Sequence, residues 1–159
     1  MSEVIRIGLL RLVDSAPVLV TEAEGLFAAA GLEVALHIEP SWANVADKLA
    51  WGLLDAAVML PPLALAMASG LRGPPVRLHV AMGLSEGGNS VVVAPSIADA
   101  FPDWVRAQTK PPRLAVVHVF STHNLLLRYW LALTGVDPDR DIETVVVPPE
   151  QVVGALASQ

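Results

Sequence analysis

The sequence contains no cysteine, so disulfide frameworks, thiol catalysis and cysteine-based zinc sites are excluded. Charge is scarce: 16% of the 159 residues are charged, where ordinary soluble domains carry roughly 25%. Basic residues are the scarcer sign, with 10 Lys and Arg against 16 Asp and Glu, a net of -6. A nucleic-acid binder normally needs a basic stripe to replace the counterions on phosphates, and this chain has none to offer. Long apolar runs are missing too. The most apolar stretch, Ala56–Ala68, is interrupted by Pro61 and Pro62, whereas a spanning helix needs roughly 20 uninterrupted apolar residues. The N-terminus, MSEVIRIGLL, carries an acid and lacks both a long apolar core and a small-residue cleavage site. It does not read as a secretory signal. As written, the chain is expected in the cytoplasm, or in the periplasm if a leader has been removed, and membrane insertion is not expected.

Catalytic signatures are also missing. There is no G-x-S-x-G elbow, no H-E-x-x-H helix, no phosphate-loop G-K-[ST] and no G-x-G-x-x-G. The four histidines, His37, His79, His118 and His123, are scattered, with no carboxylates at metal-ligand spacing around them. No metal, no cofactor and no enzymatic activity are therefore expected. The alternative is acid–base chemistry by His118 or His123, which lie five residues apart across an expected strand-to-helix junction.

What is abundant is aliphatic: 53% of residues are hydrophobic, ample for a packed core. Short apolar runs alternate with helical segments, the pattern of an α/β fold with a mostly parallel sheet flanked by helices. Strands are expected at Val4–Leu10, Glu33–Ile38, Ala56–Met59, Arg77–Met82, Ser90–Val93, Leu114–Val119 and Ile142–Val147. One helix is expected from Asp14-Ser15-Ala16-Pro17 to Gly31. A second starts behind Ser41 and runs Trp42–Trp51, with Gly52 closing it. Further helices are expected at Pro62–Ser69, from Ser121 to Thr134 with Gly135 after it, and from Pro149 to Gln159. Met59, Met67 and Met82 are expected in the core, and Trp51, Trp104 and Trp130 in the core or an interface. The last helix has an apolar stripe (Val152, Val153, Ala155, Leu156) and nothing after it to pack against, so the chain reads as the front part of a longer protein.

In a parallel α/β sheet, ligands sit beyond the carboxyl ends of the strands, where helix starts offer unpaired N–H groups to anions. Three such places carry donors. Ser41-Trp42 supplies an indole N–H, which donates and never accepts. Gly87-Gly88-Asn89 supplies a turn whose backbone can approach a ligand closely. Ser121-Thr122-His123-Asn124 supplies two hydroxyls, an imidazole and an amide. Each also has a plain structural reading: Trp42 as packing, the glycines as a hairpin turn, Ser121 as a helix cap and His123 as surface.

Several of these segments, in order and spacing, carry a family likeness. The D-x-A-P at Asp14–Pro17, G-L-F at Gly25–Phe27, S-W-A-N at Ser41–Asn44, D-K-L at Asp47–Leu49 and D-A-A at Asp55–Ala57 resemble the nitrate/bicarbonate solute-binding proteins of ABC transporters and their cytoplasmic nitrate-sensor relatives. So does the segment from Ser121 to Val153. The resemblance implies a type II periplasmic-binding-protein fold, with residues 1–107 as lobe one and residues 108–159 as the opening of an incomplete lobe two. It implies non-enzymatic binding of a small oxyanion between the lobes, nitrate or nitrite first, with bicarbonate or a small organic acid as alternatives. The implied ligand residues are Trp42, Gly88, Asn89 and His123. The implied partner is either an ABC permease or an RNA-binding antiterminator regulator, with no direct contact to nucleic acid. The sequence departs from the family pattern where Val58 replaces a His, where Ala46 replaces an Arg, and where Glu86 adds a negative charge beside the glycine turn. These departures leave room for a third possibility, a partner-binding domain that takes no ligand.

Overall fold

The computed structural model describes residues 4–158; Gln159, the expected end of the last helix, lies outside them. The chain divides into two compact units between Gly87 and Gly88.

The first unit is built on a parallel sheet of order β2-β1-β3, comprising β1 (Ile5–Leu9), β2 (Val34–Ile38) and β3 (Ala56–Ala57). The central strand pairs along its whole length with β2, from Ile5 opposite Val34 to Leu9 opposite Ile38. With β3 it pairs only at Ile7–Ala56 and Gly8–Ala57. That short ladder is held in register by an ion pair. Arg6 donates from Nε to Asp55 Oδ2 and from Nη2 to Asp55 Oδ1, its backbone N–H bonds the same carboxylate, and Asp55 N–H returns a bond to the Arg6 carbonyl at 2.9 Å. The Leu54 side chain packs against Gly8 beside this ladder, where a Cβ would make it move.

Between β1 and β2 the chain forms a 3-10 turn (Val13–Ser15), α1 (Ala16–Ala23) and α2 (Leu26–Ala29). The sequence pattern suggested a single helix here. Gly25 breaks it by entering the left-handed region at φ 66°, where only glycine sits without strain. Next come α3 (Trp42–Ala50) and α4 (Pro61–Ala68), which bury Trp42, Val45, Ala46, Leu63, Ala66 and Met67.

Two expected strands do not form. Residues 75–94 are without helix or ladder, so neither Arg77–Met82 nor Ser90–Val93 is a strand among the described residues. Their valines give high strand propensity, but a strand also needs an edge to pair with. Met82, expected in the core, is exposed, as is Trp51. The third strand is shorter and less buried than expected, with Ala56 exposed and Val58 the first buried residue after it.

The second unit contains a 3-10 turn (Pro95–Ala100), α5 (Phe101–Arg106), β4 (Arg113–Val116), α6 (Thr122–Leu133), β5 (Glu143–Val146) and α7 (Pro149–Ala157). β4 and β5 are parallel. Their core joins Phe101 and Val105 to Val116, Leu127, Leu131, Val136 and Ile142, with Phe101 stacked between Trp104 and Trp130. The stretch before the expected lobe boundary at 107/108 thus packs with the residues that follow it. On α7, Val153 and Leu156 are exposed.

The Arg6 guanidinium, through its hydrogen bonds and charge, holds the Asp55 carboxyl well below the ordinary carboxylate range. A depressed folded-state pKa contributes stability that is present above the unfolded value, about 3.9, and is lost as pH falls below it. Asp55→Asn should therefore be less stable than wild type at neutral pH, with the gap closing below about pH 4. Urea melts at pH 7 and pH 3 check this; a gap that ignores pH would show the pair contributes nothing as an ion pair.

Candidate ligand site

In the first unit, parallel pairing brings the exits of β1 and β2 to the same end of the sheet, and α1 and α3 start from there. Glu39 N–H bonds the Leu9 carbonyl at 2.8 Å, prolonging the pairing beyond Ile38. The Glu39 side chain is 2% exposed and accepts a 2.7 Å hydrogen bond from Lys48 Nζ, reaching back from α3. Sequence reasoning missed this pair. An isolated Glu before Pro-Ser carries no signal of burial, and the Lys nine positions on becomes a neighbour only once the chain turns at Pro40.

Ser41 caps α3 as expected. Its Oγ accepts from Asn44 N–H at 3.2 Å and donates to Asn44 Oδ1 at 2.8 Å, so this hydroxyl is fully used. Trp42 follows at the first helical position and is 2% exposed. Its Nε1 has no hydrogen-bond partner in the protein. A buried donor left unsatisfied costs about 1–3 kcal/mol, and an indole N–H can be satisfied only by an acceptor. Packing thus accounts for the ring of Trp42 and leaves its polar atom unexplained. Ala46 and Val58, where the family pattern has Arg and His, are both buried among apolar neighbours and bring no charge to this end of the unit.

Around the division between the units, Gly87 and Gly88 take φ 71° and 78° in succession. A Cβ at either would meet nothing within 4 Å, so backbone conformation alone calls for glycine. Gly88 and Asn89 are exposed.

In the second unit, Ser121 is wholly buried and caps α6 by accepting from Asn124 N–H at 3.1 Å. His123 is exposed at the second position of that helix. Asn124, expected to offer its amide, is buried and spends Nδ2 on the Val119 carbonyl at 2.8 Å. Its unpartnered atom is Oδ1, an acceptor, so it does not suit an anion. His118 is buried, and its Nδ1 accepts from Phe120 N–H at 3.0 Å. That bond engages Nδ1 as an acceptor at one edge of the imidazole. Among the described residues no group of three or more His, Cys, Asp and Glu could hold a metal ion. A groove of about 480 Å³ lies elsewhere in this unit, between the end of α5 and the Arg140–Asp141 pair.

Trp42 therefore belongs to the first unit, and Asn89 and His123 to the second. Ser15 is the residue that sequence reasoning passed over. It lies wholly buried at the start of α1, and its Oγ has no partner.

The sequence matches the NMT1-like family across residues 2–159. The chain belongs to that family. It is 38% identical over 160 residues to the nitrate import ATP-binding protein NrtC of Synechocystis, covering 94% of this chain and 24% of that protein. It is 35% identical over 162 residues to the bicarbonate transport ATP-binding protein CmpC of Synechococcus elongatus, covering 96% and 24%. Among solved structures it superposes on the periplasmic nitrate-binding protein NrtA of Synechocystis with a TM-score of 0.87 at 26% identity, covering 96% of this chain and 43% of the other. The fold is that of the periplasmic binding proteins, with parallel sheets flanked by helices, as the sequence pattern and the resemblance led one to expect. The chain spans about a quarter of the length of the ATP-binding relatives. No helix among the described residues is long and apolar enough to cross a membrane.

Removing the cation that faces a buried carboxylate leaves an uncompensated charge. Lys48→Met should destabilise the first unit by about 2 kcal/mol, below the usual cost because Lys48 is itself part-exposed. Glu39→Gln combined with Lys48→Met should recover part of that loss. Chemical denaturation of the three proteins checks the order.

Proposed function

We propose that the chain provides part of the binding site for a small oxyanion, nitrate or nitrite first, as the solute-recognising component of an ABC import system. The carrying observation is the unpartnered, buried Trp42 Nε1–H at a helix start on the exit end of a parallel sheet. An anion supplies the acceptor this donor lacks, and the helix start adds its dipole. Relatives named for nitrate and bicarbonate transport support the same class of ligand. Gly88, Asn89 and His123 are proposed as the ligand groups that follow, all on the second unit, whose division from the first falls at Gly87 and not at the expected 107. With a net charge of -6 the chain exerts no long-range pull on an anion, so recognition rests on local, desolvated hydrogen bonds.

The likeness to ATP-binding proteins does not make this chain an ATPase. It holds no G-x-x-x-x-G-K-[ST] phosphate loop, and recognition without catalysis is the reading that its helix-start donors support. The match to CmpC favours bicarbonate as the second ligand to test. Transport rather than cytoplasmic sensing is favoured by relatives named for nitrate import and bicarbonate transport; copurification with an RNA-binding antiterminator in place of a permease would reverse that.

Trp42→Phe keeps an aromatic ring and deletes the donor. In the natural full-length polypeptide it should weaken nitrate binding by about tenfold or more, the worth of a hydrogen bond to a charged acceptor. Isothermal titration is the measurement. Unchanged affinity, or tight binding of a neutral solute with nitrate, nitrite and bicarbonate all inert, would overturn the assignment.

A further inference from the structure

Three serines stand at N-caps of helices that follow parallel strands: Ser15 before α1, Ser41 before α3 and Ser121 before α6. Ser41 and Ser121 have extended backbones and cap with their hydroxyls, each accepting the N–H of an asparagine three residues on. Ser15 does neither. The preceding 3-10 turn holds its backbone at φ -83° and ψ -9°, and its side chain makes no cap hydrogen bond. One of the N–H groups a cap would serve is missing as well, because Pro17 occupies the second helical position. A hydroxyl in open solvent would bond to water, but Ser15 is 0% exposed and its Oγ remains without a partner.

The placement of this orphan gives it meaning. Leu9 and Ile38 are register partners, so β1 and β2 end together. Ser15 follows the exit of β1 and Trp42 the exit of β2. The two unpartnered buried polar groups of these helix starts therefore share one end of one sheet, on adjacent connections. Two carboxylates stand at the same end: Glu39, which is neutralised by Lys48, and the half-buried Asp14 beside Ser15, so the anion proposed here is held by neutral donors against a local acid.

We infer that Ser15 is a further ligand residue, its hydroxyl acting with Trp42 Nε1–H on one small oxyanion at the exit end of the first sheet. This rests on the oxyanion-binding function proposed above and adds a residue to that site. The two groups differ in chemistry. The indole donates only, whereas a hydroxyl both donates and accepts. Ser15 can give a proton to an oxygen of nitrate, or turn its lone pair to the hydroxyl of bicarbonate. A serine here admits protonated and unprotonated oxyanions alike, where a second pure donor would reject the protonated kind.

The test uses Ser15→Ala in the natural full-length polypeptide, with nitrate and bicarbonate as separate titrants and thermal melts of the ligand-free protein alongside. A hydroxyl kept for a ligand is a burden on the empty protein, so the Ser15→Ala melting temperature should equal or exceed that of wild type. Its affinity should fall about tenfold for whichever oxyanion the wild type binds. Combined with Trp42→Phe, the loss should be smaller than the product of the two single losses, because both groups act on one ligand. A lowered melting temperature with unchanged affinity would make Ser15 a structural residue and overturn this inference alone. Wild-type protein that binds neither anion would overturn the oxyanion function, and this inference with it.

Discussion

Parallel pairing around β1 is the constraint on which the first unit depends. Parallel strands must be joined by crossovers, and each crossover here is helical, so every exit from the sheet leads into a helix start. Donors on separate connections are thereby gathered at one end without being close in sequence. The pairing is unequal on its two sides. Five residues match β2, but only two match β3, and the thinner side is reinforced by the Arg6–Asp55 ion pair and by a glycine that lets Leu54 close over the strand.

Buried polar groups sort into two kinds. One kind is spent on architecture: the Ser41 and Ser121 caps, the Asn124 amide on the Val119 carbonyl, and Glu39 on Lys48. The other kind, Ser15 Oγ and Trp42 Nε1 in the first unit and the acceptor Asn124 Oδ1 in the second, is buried at comparable cost with nothing returned inside the protein. Folding alone favours apolar replacements at such positions. The polarity of Ser15 and Trp42 is what the proposed oxyanion site rests on, since an acceptor-rich anion would satisfy both.

The family membership and this sorting address different questions. Membership in the NMT1-like family and the NrtA superposition, which covers nearly all of the chain, fix its fold. They do not say which atoms meet the solute. Ala46 and Val58, where the family pattern has Arg and His, are buried and uncharged. In the proposed site, recognition would then fall more heavily on neutral donors, in keeping with a chain so poor in cations.

Much of the fold was legible because local physics produced it. Ser41 and Ser121 announce their helices by capping chemistry, Gly52 and Gly135 end helices in left-handed conformations, and short, mostly apolar runs mark the parallel strands. Strand formation at 77–82 and 90–93 was misjudged because propensity is local and pairing is not. The break at Gly25 was missed because a glycine in a helical pattern reads as tolerated until its φ is known. At the site, Trp42 was legible as a donor at a helix start, but only burial showed that its N–H lacks a partner. Ser15 looked like an ordinary cap, and Glu39 and Lys48 like unrelated surface charges. Sequence by itself determined the class of fold, the helix starts and the types of donor they carry. The tertiary structure decided which of those donors the protein uses up and which it keeps, because satisfaction of a buried polar group depends on what the rest of the chain brings within about 3 Å of it.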